Sequence, residues 1–117
     1  MFDNSFSNCK VENCDCLDGL SRIADESIDC IITSPPYNIG KFRSESKKYG
    51  TYMNNDLPEH QYQEWQIEVI NECYRVLKKD GSMFYNHKPR FKNHIYIHPL
   101  EWLFKTNFFF KTGNYMG

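Results

Sequence analysis

No apolar run in this sequence approaches the roughly 20 residues that a membrane-crossing helix needs, and no basic-plus-apolar leader stands at its amino terminus, so the chain reads as cytoplasmic. A surplus of one charge is lacking too. The formal net charge is −1, so whole-chain electrostatics do not mark a nucleic-acid binder, and any DNA contact must come from a local basic patch. The five cysteines are odd in number and have no CxxC spacing. On a strand Cys14 and Cys16 would point to opposite faces, so the expectation is reduced, mostly buried thiols and no metal site. His94 and His98 are four apart, but Pro99 follows at once, which leaves no helix to align them. At 117 residues the chain is one domain at most, short for an α/β enzyme.

What is present is organised around Asp29 to Tyr37, an apolar run that ends abruptly in Ser34, Pro35, Pro36 and Tyr37. Cys30, Ile31 and Ile32 read as a strand buried on both faces, since parallel strands covered by helices are continuously apolar. Two prolines then fix φ near −65° and bias the residues before them away from helix, which makes a stiff, extended turn. A rigid turn at a strand's carboxyl end is where open α/β sheets place their chemistry. The Ser34 hydroxyl and the turn carbonyls can accept hydrogen bonds from an amino group, and Tyr37 offers a flat face for a base. A Pro-Pro loop after an ordinary core strand is the plainer alternative. The strand feeding directly into Thr-Ser-Pro-Pro-Tyr-Asn outweighs it.

This stretch resembles motif IV of the DNA amino-methyltransferases, the Asp/Asn/Ser-Pro-Pro-Tyr/Phe/Trp signature of enzymes that use S-adenosylmethionine to methylate adenine N6 or cytosine N4. The resemblance implies a base flipped out of double-stranded DNA, its amine held by Ser34 and the Pro35 carbonyl, and its ring stacked on Tyr37. It makes Ser34, Pro35, Pro36 and Tyr37 the catalytic pocket, and Asp15, Ser34 and Pro35 contacts to the cofactor. Serine in the first position is associated more often with cytosine N4, and the motif also admits adenine N6.

The rest of the chain is ordered around that turn. Val11 to Cys16 reads as a short strand, Leu17, Leu20 and Ile23 as a helix face, and Ile28 to Thr33 as the central strand, together a compact βαβ unit. The spacing predicts a helix over Glu59 to Lys79, opened by Pro58 and closed by Asp80-Gly81, with Trp65, Val69, Ile70, Cys73, Val76 and Leu77 on its apolar face. Ser82 to His87 reads as a second buried strand. Lys41, Arg43, Lys47 and Lys48 after the motif, and Lys88 and Arg90 after the second strand, are candidate DNA contacts; plain solvated loops would look the same. Pro99 to Phe104 reads as a short helix and Phe108 to Phe110 as the start of another strand.

The fold implied is α/β, part of the mostly parallel, Rossmann-like sheet of the S-adenosylmethionine methyltransferases with flanking helices, in a single incomplete catalytic domain over residues 1–117. The family binds its cofactor at a Phe-x-Gly-x-Gly turn, where only glycine lets backbone approach so closely. No such motif stands in this sequence. In the β-type motif order it would follow residue 117, so the chain resembles the leading part of a methyltransferase. One permitted set of codons for Lys111 to Gly117, read a base out of frame, gives Lys-Gln-Glu-Ile-Ile-Trp, which resembles what family members carry there. The expectation is a truncated, frameshifted product that by itself neither binds the cofactor tightly nor methylates DNA, and that exposes an apolar sheet face. Other readings are a non-catalytic remnant, half of a split enzyme with a complementing chain, or a methyltransferase acting on RNA or protein glutamine.

Overall fold

The computed structural model describes residues 8–39 and 56–108. Lys41, Arg43, Lys47, Lys48 and the tail after Phe108 lie outside them. Among the described residues, helix α1 (Cys16–Ser21) leads to strand β1 (Ile28–Thr33), followed by the long helix α2 (Glu59–Val76) and strand β2 (Leu77–Tyr85). A hairpin of β3 (Arg90–Lys92) and β4 (Ile95–Ile97) then precedes the short helix α3 (Leu100–Leu103).

The central pair is parallel, as the buried-strand reading of both segments required. Cys30, Ile31, Ile32 and Thr33 stand opposite Ser82, Met83, Phe84 and Tyr85. Behind that run, Ile28 pairs with Leu77, so residues 78–81 bulge out against the single residue Asp29. Lys78 turns back from the bulge to form an ion pair with Asp29 at 2.8 Å. Glycine is required at position 81: a Cβ there would stand 2.9 Å from the Asp29 carbonyl oxygen and 3.1 Å from that of Lys78.

Several expectations from the sequence are corrected. Helix α2 stops at Val76 rather than Lys79, and Asp80-Gly81 belong to the bulge. The chain leading to β1 ends the helix, because Glu26 N–H and Ser27 N–H bond the Arg75 and Val76 carbonyls at 3.0 and 2.8 Å. Arg75 in turn caps α1, donating to the Leu20 and Ile23 carbonyls at 2.8 and 2.9 Å. Val11 to Asp15 is not a strand. Instead the Asp15 carboxylate accepts from Leu17 N–H at 3.0 Å and caps α1. The basic stretch after β2, expected as a loop, is an antiparallel hairpin whose Asn93-His94 turn has φ of 53° and 67°, the left-handed pair that two-residue hairpins need. Of the cysteines, Cys73 alone is buried, while Cys9, Cys14, Cys16 and Cys30 are exposed.

The strands are covered on one face only. Ile31, Thr33, Met83 and Tyr85 turn toward α2, whose buried stripe is Tyr62, Gln66, Ile70, Cys73 and Val76. Trp102 and Leu103 of α3 and Ile97 of β4 complete that core. On the other face Ile32 is 79% exposed and Phe84, opposite it, 60%. Burial on both faces is therefore not what the described residues give. Alternation of side chains along the pleat leaves every second residue uncovered where nothing packs behind it. No helix among the described residues is long and apolar enough to cross a membrane.

Candidate functional site

Both parallel strands end at the same level. Asn86 N–H bonds the Thr33 carbonyl at 2.9 Å, carrying the ladder one step past the strands and bringing Ser34 beside Asn86. The Asn86 side-chain amide donates to Tyr37 Oη at 2.9 Å and to Ser34 Oγ at 3.2 Å, and those two hydroxyls lie 3.3 Å apart. Ser34 and Tyr37, three residues apart, are thus closed into one triangle by the second strand. Ser34 is exposed at the strand end, and Pro35, Pro36 and Tyr37 are partly covered.

A second layer holds the turn from beneath. Tyr62, fully buried on α2, donates its hydroxyl proton to the Pro36 carbonyl and lies 2.6 Å from His87 Nε2. The backbone N–H of Lys88 points at His87 Nδ1 from 2.8 Å. A neutral ring that accepts there carries its proton on Nε2 and donates it to Tyr62, so one ordered chain runs His87 to Tyr62 to Pro36. Burial favours the neutral ring and lowers His87 to about 4. The same burial raises the Tyr62 phenol, which keeps its donor proton. Below these groups Tyr85 donates to Gln66 Oε1, and Trp102 Nε1 donates to Tyr85 Oη at 3.2 Å. A glutamine is tolerated in the apolar stripe of α2 because it is paired.

Arg90, expected as a DNA contact, is only 6% exposed. Its two terminal nitrogens bond both Glu59 oxygens at 3.0 and 2.9 Å, and its guanidinium lies 5.1 Å from the Tyr62 ring centre and 5.5 Å from that of Trp102. Burial alone would raise the Glu59 carboxyl, but hydrogen bonds from Arg90 and Gln63 hold it below its usual value. A DNA contact is corrected to a buried pair that fixes the hairpin to the start of α2. Lys88 by contrast is exposed, with its ammonium 5.5 Å from the Tyr37 ring centre, and the His87 ring lies 4.8 Å from Tyr37.

The stretch after Tyr37 is pinned as well. The Asn38 side chain donates to the Leu57 carbonyl at 2.9 Å and accepts from Leu57 N–H at 2.6 Å, so the chain leaves and rejoins the described structure at one point beside Tyr37.

For the cofactor, Ser34 and Pro35 border a mostly apolar cleft of about 430 Å³ walled by Leu20, Ile31, Trp65 and Val69. Asp15 does not line it; the following residue, Cys16, does. No glycine stands on its wall. The described residues therefore do not by themselves fit S-adenosylmethionine, because nothing lets backbone close on the ligand.

Sequence reasoning passed over Tyr62, Glu59, Asn86, His87 and Trp102 as site-forming groups. Asn86 and His87 had a usable signal, since they end the second strand as Ser34 ends the first. Tyr62 had none, because a tyrosine on a helix face looks the same whether or not its hydroxyl finds a carbonyl.

A parallel strand pair covered by a helix, with a Ser-Pro-Pro-Tyr turn at its carboxyl end, defines a partial methyltransferase fold. Residues 28–115 match the family model described as DNA methylase, and the chain belongs to that family of N6 and N4 methyltransferases. It is 41% identical over 76 residues to the type II methyltransferase M.BglII of Bacillus subtilis, a match covering 65% of this chain and 18% of that protein. It is 31% identical over 86 residues to M.BamHI of Bacillus amyloliquefaciens, covering 74% of this chain and 19% of that protein. To the DNA adenine methyltransferase YhdJ of Escherichia coli it is 45% identical over 71 residues, covering 60% of this chain and 21% of that protein. The chain thus spans about a fifth of the length of these relatives.

Proposed function

We propose that this chain forms the base-holding part of an enzyme that transfers a methyl group from S-adenosylmethionine to an exocyclic amine of DNA, cytosine N4 or adenine N6, within a restriction-modification system. The observation that carries this reading is the turn itself. Asn86 draws Ser34 and Tyr37 together, Tyr62 occupies the Pro36 carbonyl, and no described residue donates to the Pro35 carbonyl. Ser34 Oγ accepts one proton of the amine and the Pro35 carbonyl the other, which turns the nitrogen lone pair out of the base plane. Tyr37 stacks on the ring. A hydroxyl is a weak acceptor and no strong base adjoins it, so the amine proton leaves after transfer. Lys41, Arg43, Lys47, Lys48 and Lys88 supply phosphate contacts, and Ser34 and Pro35 border the cofactor side of the complete site. Type II names among the relatives support the restriction-modification setting.

By the same reading, residues 1–117 alone do not methylate DNA, for want of a glycine turn. The test is transfer of labelled methyl from S-adenosylmethionine to duplex DNA. The chain alone is expected to be silent, and a complementing chain that carries Phe-x-Gly-x-Gly to restore transfer. Digestion of the product then separates N4-methylcytosine from N6-methyladenine. Robust transfer by the chain alone overturns the incomplete-site reading; full activity of the complemented Ser34→Ala variant overturns the pocket.

A further inference from the structure

The β3–β4 hairpin turns two large aromatic rings to the solvent. Side chains alternate along its strands, so Arg90 and Ile97 turn inward to the core while Phe91 and Tyr96, opposite each other in register, turn away from it. Phe91 is 74% exposed and Tyr96 53%, and their rings meet edge to face at 5.3 Å. Two large rings held in the open by a ribbon of three-residue strands contribute little to the core. The ribbon is nevertheless firmly placed. Arg90 is clamped by Glu59, and Lys92 Nζ reaches the Asn38 carbonyl at 3.4 Å, one residue past Tyr37. A cleft of about 450 Å³ joins these parts, lined by Asn38, Asp56, Lys88, Pro89, Phe91 and Lys92 among others. No aspartate or glutamate occurs between Asp80 and Glu101, a span that contains Lys88, Lys92 and His94. Around this cleft Lys88 and Lys92 outnumber Asp56, and Arg90 is neutralised by Glu59, so the rings stand beside a modest positive field within a chain of net charge −1.

We propose that this hairpin is a nucleobase platform, on which Phe91 and Tyr96 stack a base next to the one held at Tyr37 while Lys88 and Lys92 meet the phosphates between them. The inference rests on the base-holding reading of the turn. Extruding one base unstacks its neighbours, and an aromatic face restores stacking to any of them without reading sequence. Charge decides the occupant. A protein partner's apolar surface would gain nothing from the flanking lysines, whereas a base brings its own phosphates.

The test is a fluorescence-anisotropy titration of the chain with two short labelled duplexes, one fully paired and one with a central unpaired base. The Phe91→Ala/Tyr96→Ala variant is expected to lose about 5- to 150-fold in affinity for the second duplex, the range for stacking one base on an aromatic ring. Phe91→Leu/Tyr96→Leu, which keeps apolar bulk without a π face and guards against a misfolded alanine variant, is expected to lose as much. Lys88→Ala weakens both duplexes alike and reduces the salt slope by about one. Unchanged affinity of both aromatic variants, or rescue by leucine, overturns the platform and leaves the base-holding reading standing. Failure of the unaltered chain to bind either duplex also overturns the platform, while the base-holding reading is decided separately by transfer from the complemented Ser34→Ala variant.

Discussion

The two faces of the β1–β2 pair have opposite fates. On one, Tyr62, Gln66, Tyr85, His87 and Trp102 form a covered, hydrogen-bonded layer beneath the Ser34–Tyr37 turn. On the other, Ile32 and Phe84 face solvent with no described element behind them. The difference teaches where precision resides. These five side chains are tolerated in the covered face because they are paired, and through those partners the face sets the position of Pro36 and Tyr37. The open face has apolar area but no such connection.

The comparison is broken most severely at Trp102. Trp102→Ala removes the ring beneath Tyr62 and Tyr85 and is expected to cost about 3–5 kcal/mol in urea unfolding. Glu59→Gln comes next, at about 3 kcal/mol, because it leaves a buried guanidinium without its counter-charge. Its side chain is itself 22% exposed, which keeps the loss toward the lower end. Tyr62→Phe keeps the packing and deletes one hydroxyl, leaving the His87 proton and the Pro36 carbonyl unmatched, at about 1–3 kcal/mol. Its further signature is an altered ¹⁵N pattern of the His87 ring, which a purely packing role for Tyr62 would not produce.

Acid sharpens the same contrast. His87 has a folded value near 4 against an ordinary 6.5, so between those values the unfolded chain binds the extra proton. Stability is then complete above 6.5 and falls as the pH drops toward 4. The Glu59 carboxyl, held low, adds a loss as the pH falls through its folded value. His87→Gln is expected to flatten the upper part of this profile, read by thermal unfolding across pH. The smallest effect belongs to the open face: Ile32→Ser should change monomer stability by no more than about 0.5 kcal/mol. It should also reduce concentration-dependent association seen by light scattering. A large destabilisation there would mean that the two faces are not so different.

Much of this was legible beforehand because it is written in local chemistry. Pro58 opens α2, Pro99 opens α3, and the Ser-Pro-Pro-Tyr turn follows an apolar strand, each as the sequence predicts. The errors share a cause. Lys78 and Lys79 suit a helix terminus and make α2 look too long, yet the partner that ends it is backbone 49 residues earlier in the chain, at Glu26 and Ser27. Arg90 looks like a surface cation in the sequence because nothing local announces Glu59, 31 residues away, as its partner. The hairpin is hard to see in the sequence because Asn93-His94 is a weaker turn signal than Asn-Gly, and its strands are only three residues long.

By itself the sequence determined the family and the turn, since φ restriction at Pro35 and Pro36 and the apolar run before them act over a few residues and need no partner. Only the tertiary structure decided which atoms of that turn are occupied, which are open, and which face of the sheet is covered. Those outcomes depend on Tyr62, Asn86 and Glu59 arriving from distant segments. A hydrogen bond between residues far apart leaves no periodicity in either of them.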